Sequence, residues 1–299
     1  MISISEKFNM QPGGPAFVMS LTEQSPDVVR LLRMLSGSAT LVVRAEDASD
    51  DIYELSENYI RPDHNISAAN LSEVLDYIFD EVPSPQDLET IFAAMRGQNR
   101  GFYKDMREEL SLCLLLVAQS RNTEAFLLLY RILERMSAAC PLIYASRQRD
   151  FRSAHEFLSG IFSDDKLPGE LGILQKFLKN YATENNDFSD LSLEIPIPNW
   201  GAFATEFAHQ WKNIICREAS FATLDDENGV ISCPYKKVAS LIVTIRNRTF
   251  HNLSGRSNVN LYKLGGPDMI FSLVMPYFLT WMAYVFVDFA RWQISAVRI

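Results

Sequence analysis

The sequence predicts a mainly α-helical protein, a helical bundle preceded by a small N-terminal module that is α+β or helical. Three observations carry this. Apolar residues recur at helical spacing through most of the chain after Lys104. Only one short β-branched run, Thr40-Leu41-Val42-Val43, is singled out as a strand. Proline and glycine fall largely at the borders of the periodic segments, where they start and stop helices.

In chain order, the first twenty residues mix polar and apolar types around the turn signal Gly13-Gly14-Pro15. Ser25-Pro26 reads as an N-cap followed by proline at the first helical position, and Gly37 as the stop. Between them Val28, Val29, Leu31, Leu32 and Leu35 form one apolar stripe. The strand at 40–43 ends in the acidic run Glu46 to Asp51. A helix is expected over Leu71 to Phe79. Another opens at Ser84-Pro85 with Leu88, Ile91, Phe92 and Met95 inward, and Gly97 closes it. Residues 1–98 form the N-terminal module, and 99–299 the helical domain.

From Lys104 the helices lengthen. Leu110 to Val117 and Phe126 to Leu133 are apolar helical cores joined by a short polar turn at Arg121-Asn122, an αα-hairpin. The segment Ser146 to Phe162 carries Arg147, Arg149, Arg152 and His155. Residues 184–198, with Asn185, Asn186, Pro196 and Pro198, read as a loop. Trp200 to Glu218 is helical, Thr223 to Gly229 is an acidic turn, and a helix from Pro234 to Leu253 follows. Gly265-Gly266-Pro267 breaks the chain before a last helix, about Asp268 to Val297. Within it, Met269 to Val287 is a stretch of 19 residues without a formal charge. That approaches the ~20 that span a bilayer. Pro276, Ser272 and Thr280 argue instead for a buried bundle or dimer-interface helix, with a membrane anchor as the alternative.

Composition narrows the function classes. The chain has 299 residues, 47% hydrophobic and 22% charged, so a substantial core is expected. A net charge of −9 argues against a protein that coats nucleic acid with a broad basic surface. Yet Ile231 to Pro267 contains no Asp or Glu and holds Lys236, Lys237, Arg246, Arg248, Arg256 and Lys263. A basic island in an acidic protein suits a local phosphate site; charge balance against acidic neighbours explains it equally well. Cys113, Cys140, Cys216 and Cys233 lack metal-ligand spacing and read as reduced thiols of a cytoplasmic protein. The N-terminus lacks a basic start and apolar run, so no secretory leader is expected.

The chemistry concentrates in Arg246-Asn247-Arg248-Thr249-Phe250-His251. Arginine brings a forked positive charge that matches phosphate oxygens, and histidine can carry a proton near neutrality. On a helix Asn247 and His251 share a face at i and i+4. Arg246 lies about 140° round from His251, so its length, or a helix ending near the histidine, must join them. This Arg-Asn-x-x-x-His run, late in a helix of a mainly helical chain, resembles the HEPN family of metal-independent ribonucleases. Its motif is an arginine, a polar residue and, after a short spacer, a histidine.

The resemblance implies a HEPN-like bundle that dimerises and cuts RNA without a metal or other cofactor, each site drawing on both copies. It implies that Arg246 holds the scissile phosphate, that His251 is the general acid/base, and that Asn247 orients His251 or the substrate. Arg248, Lys237 and Arg256 are added as substrate contacts. A toxin or antiviral-defence role, with an antitoxin or defence partner, is inherited from the same resemblance. Leu253 stands where members controlled by a nucleotidyltransferase antitoxin carry a tyrosine, which speaks against that control. The alternative is an inactive helical module that binds nucleotide, RNA or a partner protein.

The other histidines carry less. Glu206-x-x-His209 has the spacing of a di-metal ligand pair but occurs once, so His209 reads as an ordinary packed or surface histidine. His155, near Arg149 and Arg152, reads as part of a solvated face before an RNA path, and His64 as a loop residue.

Overall fold

The computed structural model describes residues 1–10, 12–44, 49–79, 81–162, 170–184, 186–197, 202–217, 219–225, 227–250, 259–260, 263 and 266–297. Among them, β1 (Ile2–Glu6) precedes a 3-10 turn at Pro15–Met19. Then come α1 (Asp27–Leu35), β2 (Ala39–Val43), β3 (Asp51–Glu54), α2 (Glu73–Ile78), α3 (Pro85–Met95) and α4 (Arg100–Ala118). The later elements begin with α5 (Asn122–Arg147), α6 (Phe151–Phe162), α7 (Glu170–Glu184) and α8 (Asn186–Asp190). β4 (Ser192–Pro196), α9 (Ala202–Arg217), β5 (Thr223–Asp225), β6 (Val230–Pro234), α10 (Val238–Phe250) and α11 (Pro267–Val297) complete it. The protein is mainly α with two small sheets.

The chain separates into two compact units. One comprises 1–119, 143–149 and 282–299; the other comprises 120–142 and 150–281. The helix α4, just past residue 98, belongs to the first unit, and α5 and α11 each contribute to both.

In the first unit an antiparallel sheet of order β1-β2-β3 lies with α1, whose Val28, Val29, Leu31, Leu32 and Leu35 are buried as their spacing predicts. α1 also buries Arg33 completely. Its guanidinium forms an ion pair with Glu6 and donates to the Met19 carbonyl (2.8 Å) and to Ser38 Oγ (2.8 Å), so every arm of the buried fork is used. The expected Ser25 cap is corrected. Pro26 is the N-cap, and the Ser25 hydroxyl turns back to the Ser20 carbonyl. Gly37 does stop α1, at φ +68. Ser84 caps α3 by accepting from the Asp87 amide at 3.2 Å, and Leu88, Ile91, Phe92 and Met95 are buried as expected.

In the second unit the sheet order is β4-β6-β5, all antiparallel. This corrects two expectations. The loop at 184–198 contains α8 and β4, and the acidic turn at 223–229 begins as β5. Leu193 and Ile195 alternate inward along β4, and the flanking asparagines and prolines obscured that period of two. Pro234 ends β6 and also caps the 3-10 turn Tyr235–Lys237 that runs into α10, so the helical segment opens there as expected. Between α5 and α6, Asp150 accepts from the Ser153 amide (3.0 Å) and hydroxyl (2.8 Å) and so caps the second helix.

The core of this unit is aromatic. Phe126 stacks on Phe271 with centroids 4.3 Å apart, Phe250 and Phe278 adjoin it, and Trp281 Nε1 donates to the Tyr235 carbonyl at 3.0 Å. By length and apolarity alone α11 could cross a membrane. Its Phe271, Val274, Met275, Phe278, Leu279, Trp281 and Met282 are nevertheless fully buried within the protein.

Candidate active site

The site rests on α10. Its sequence, VASLIVTIRNRTF, is rich in β-branched residues, which are mediocre helix formers. Burial therefore holds it as a helix. Val238, Leu241, Ile242 and Ile245 are fully buried, and the stripe continues at helical spacing to Arg248, which is 3% exposed. The sequence expectation for Arg248 is thereby revised. Its side chain lies on the core face and not on the solvent-facing surface where a substrate would be met.

Arg246 occupies the flank of that stripe and is half-buried. Its Nη1 donates to Asn247 Oδ1 at 3.1 Å, and its Cζ lies 5.0 Å from the centroid of the Tyr130 ring on α5. Among the described residues no carboxylate lies within 4.0 Å of this guanidinium; its partners are an amide oxygen and a π-face. The positive charge is oriented but not neutralised, which is the state that suits an incoming phosphate. Asn247 thus orients the arginine directly, its side-chain oxygen accepting from the guanidinium.

The other expected contacts are dispersed. Lys237 stands in the 3-10 turn before α10, its Nζ 5.7 Å from the Phe221 ring centroid. Nine residues of helical rise separate it from Arg246 by roughly 13 Å, so it does not share that arginine's immediate site. His251 and Arg256 lie outside the described residues, as does Leu253.

Two lysines of the basic island have local partners. Lys236 Nζ reaches Ser189 Oγ at 3.4 Å, and Lys263 Nζ lies 3.5 Å from Glu206 Oε1. Glu206 also accepts from Gln210 Nε2 at 2.7 Å. That hydrogen bond, helped by the nearby Lys263, holds its carboxyl below the usual carboxylate range. No group of His, Cys, Asp or Glu among the described residues is placed to hold a metal ion, and His209 is exposed. His155 and Arg152 are exposed too, with Arg152 in an i,i+4 pair with Glu156. Cys113, Cys140 and Cys233 are buried and in no disulfide.

Sequence reasoning missed Tyr130. It sits in the apolar run Phe126 to Leu133, where an aromatic ring reads as core, and no local signal ties it to a residue more than a hundred positions later. No protein-family model, curated protein or solved structure matches the chain.

Proposed function

We propose that this protein is a metal-independent endoribonuclease of HEPN type that acts as a cytoplasmic homodimer. The observation that carries the proposal is Arg246: a guanidinium oriented by Asn247 and Tyr130, without a carboxylate partner among the described residues, five positions before a histidine.

The reaction is internal transesterification of RNA. The 2′-hydroxyl loses its proton to a base and its oxygen bonds to the adjacent phosphorus. The bond from phosphorus to the 5′-oxygen breaks, and that oxygen takes a proton from an acid. The products are a 2′,3′-cyclic phosphate and a 5′-hydroxyl. Arg246 binds the non-bridging oxygens and stabilises the charge that accumulates on them. His251 carries protons. One chain brings one motif histidine, and the scheme uses a base and an acid, so two chains supply the pair. Arg248, being interior, supports the helix, and the phosphate contacts fall to Arg246. The toxin or defence role remains part of this proposal on the strength of the motif resemblance.

The test is RNA cleavage in excess EDTA by the native protein, Arg246→Ala and His251→Ala. Cleavage should survive chelation, fall about 10²–10³-fold without the arginine and about 10²–10⁴-fold without the histidine. Equal behaviour of all three proteins overturns the nuclease and leaves a binding module.

A further inference from the structure

Phe250 is an aromatic side chain that the reaction scheme leaves without a role. It closes α10 and is 39% exposed. It stands four residues after Arg246, so the two side chains share a helix face with their Cβ atoms roughly 5–6 Å apart. The same spacing recurs on the helix opposite. Phe126 and Tyr130 are four residues apart on α5; Phe126 lies against Phe250, with centroids 6.3 Å apart, and Tyr130 lies against Arg246. The two helices therefore run antiparallel at this point, and ring and guanidinium fall side by side within the second unit.

A singly exposed apolar residue needs no explanation by itself. Two observations give this one a ligand. The first is that the ring is held from inside. It lies 3° from parallel to Phe271, with centroids 5.7 Å apart, and 24° from parallel to Phe126. Phe126 and Phe271 are fully buried, so Phe250 is the outermost member of a stack that continues into the core. A ring fixed in this way loses little freedom when another flat group settles on it.

The second observation is the neighbouring charge. Arg246 is partnered by Asn247 and the Tyr130 ring, with no carboxylate within 4.0 Å among the described residues. The chain also holds no Asp or Glu from Ile231 to Pro267. A cation beside a flat apolar ring matches a nucleotide, whose phosphate and base are joined at a comparable spacing. It fits an unpaired nucleotide best, because the bases of a duplex are already stacked on one another.

We propose that Phe250 is the base platform of the Arg246 site: the base of an unpaired nucleotide stacks on its exposed side while Arg246 holds that nucleotide's phosphate. The proposal rests on the nuclease reading for the identity of the site. It adds the substrate class, single-stranded RNA, with no demand for one particular base, since every base offers a π-face.

The test measures binding by fluorescence polarisation with two fluorescein-labelled probes, a hexamer of 2′-deoxyuridine and the same sugar–phosphate backbone without bases. Neither carries a 2′-hydroxyl, so neither can be cut. The native protein should bind the base-bearing probe about tenfold more tightly. Phe250→Leu, which keeps an apolar side chain against Phe271, should bind both probes equally, and Phe250→Trp should restore the difference. Arg246→Ala should instead weaken both probes alike. In cleavage, Phe250→Leu should raise KM about tenfold and leave kcat within about twofold of native.

No saturable binding of the base-bearing probe, equal native affinity for the two probes, or a Phe250→Leu protein that keeps the native preference overturns the proposal. So does altered sedimentation of Phe250→Leu, which would make the ring a contact between copies of the chain. The nuclease reading fails separately. Base-dependent binding without RNA cleavage removes the reaction and leaves the platform, whereas cleavage with base-blind binding does the reverse.

Discussion

At the scale of single residues, three side chains show how burial sets chemistry. Arg33 is the clearest stability case, because its removal strands Glu6, Ser38 and the Met19 carbonyl around a buried hole. Arg33→Met should lower unfolding free energy by about 3–5 kcal/mol, read from the shift of a urea transition. Arg246 is the case on which the proposed function rests, with its charge oriented by Asn247 and Tyr130 and no carboxylate beside it among the described residues. Cys233 is the titration case: burial pushes its thiol up to about 12, against a weaker downward pull from Lys237. A folded pKa above the unfolded value means that the unfolded chain binds fewer protons between the two. Stability is then full below about pH 9 and is lost as pH rises toward 12. The buried Cys140 and Tyr59, also shifted upward by desolvation, act in the same direction. Denaturation midpoints measured across that range should fall steadily, and Cys233→Ala should flatten part of the decline.

At the scale of elements, much was legible and the exceptions have causes. The stripe of α1, the capped α3 and its four inward residues, and the extent of α11 all follow from periodicity and capping chemistry. The core position of Arg248 was legible as well, three residues beyond Ile245 on an unbroken stripe, but charge argued the other way. β1 was overlooked although Ile-Ser-Ile-Ser-Glu alternates plainly. β4 and β5 were hidden by Asn, Asp and Pro, whose turn preference outweighs two or three inward side chains until a partner strand is present. The turn after α1 yields a sharp prediction. Gly37 has φ +68, and a Cβ there would lie 2.7 Å from the Glu57 carbonyl oxygen. Gly37→Ala should cost more than about 2 kcal/mol. Gly97→Ala, with nothing within 4 Å, should be tolerated, as paired thermal melts would show. On α5, Phe126→Ala removes a ring stacked on Phe271 and flanked by Phe250 and Phe278. It should cost about 3–5 kcal/mol in the same assay.

At the scale of the whole molecule, two questions separate. The first is solvent: α11 has the length and apolarity of a membrane span, yet the residues that make it apolar are covered by the protein itself. The protein should stay in the supernatant after carbonate extraction of a cell lysate, and pelleting with membranes would show that this cover is not its only environment. The second is stoichiometry. If two motifs complete one active centre, specific activity per chain should rise with protein concentration through the dimer dissociation constant and then level off. Activity independent of concentration, in a protein that sediments as a monomer, would remove the two-histidine scheme.

Taken alone, the sequence determined what depends on neighbours within a few turns: which segments are helical, which face of each is apolar, and that an arginine, an asparagine and a histidine fall within six consecutive residues. Tertiary structure alone decided what depends on distant partners. It set Tyr130 beneath Arg246, drew Arg248 into the core and joined three strands that no single segment announced. The reason is physical: helical periodicity is written in residues three and four apart, whereas a π-face for a guanidinium or a partner for a strand comes from a segment that only the folded chain brings near.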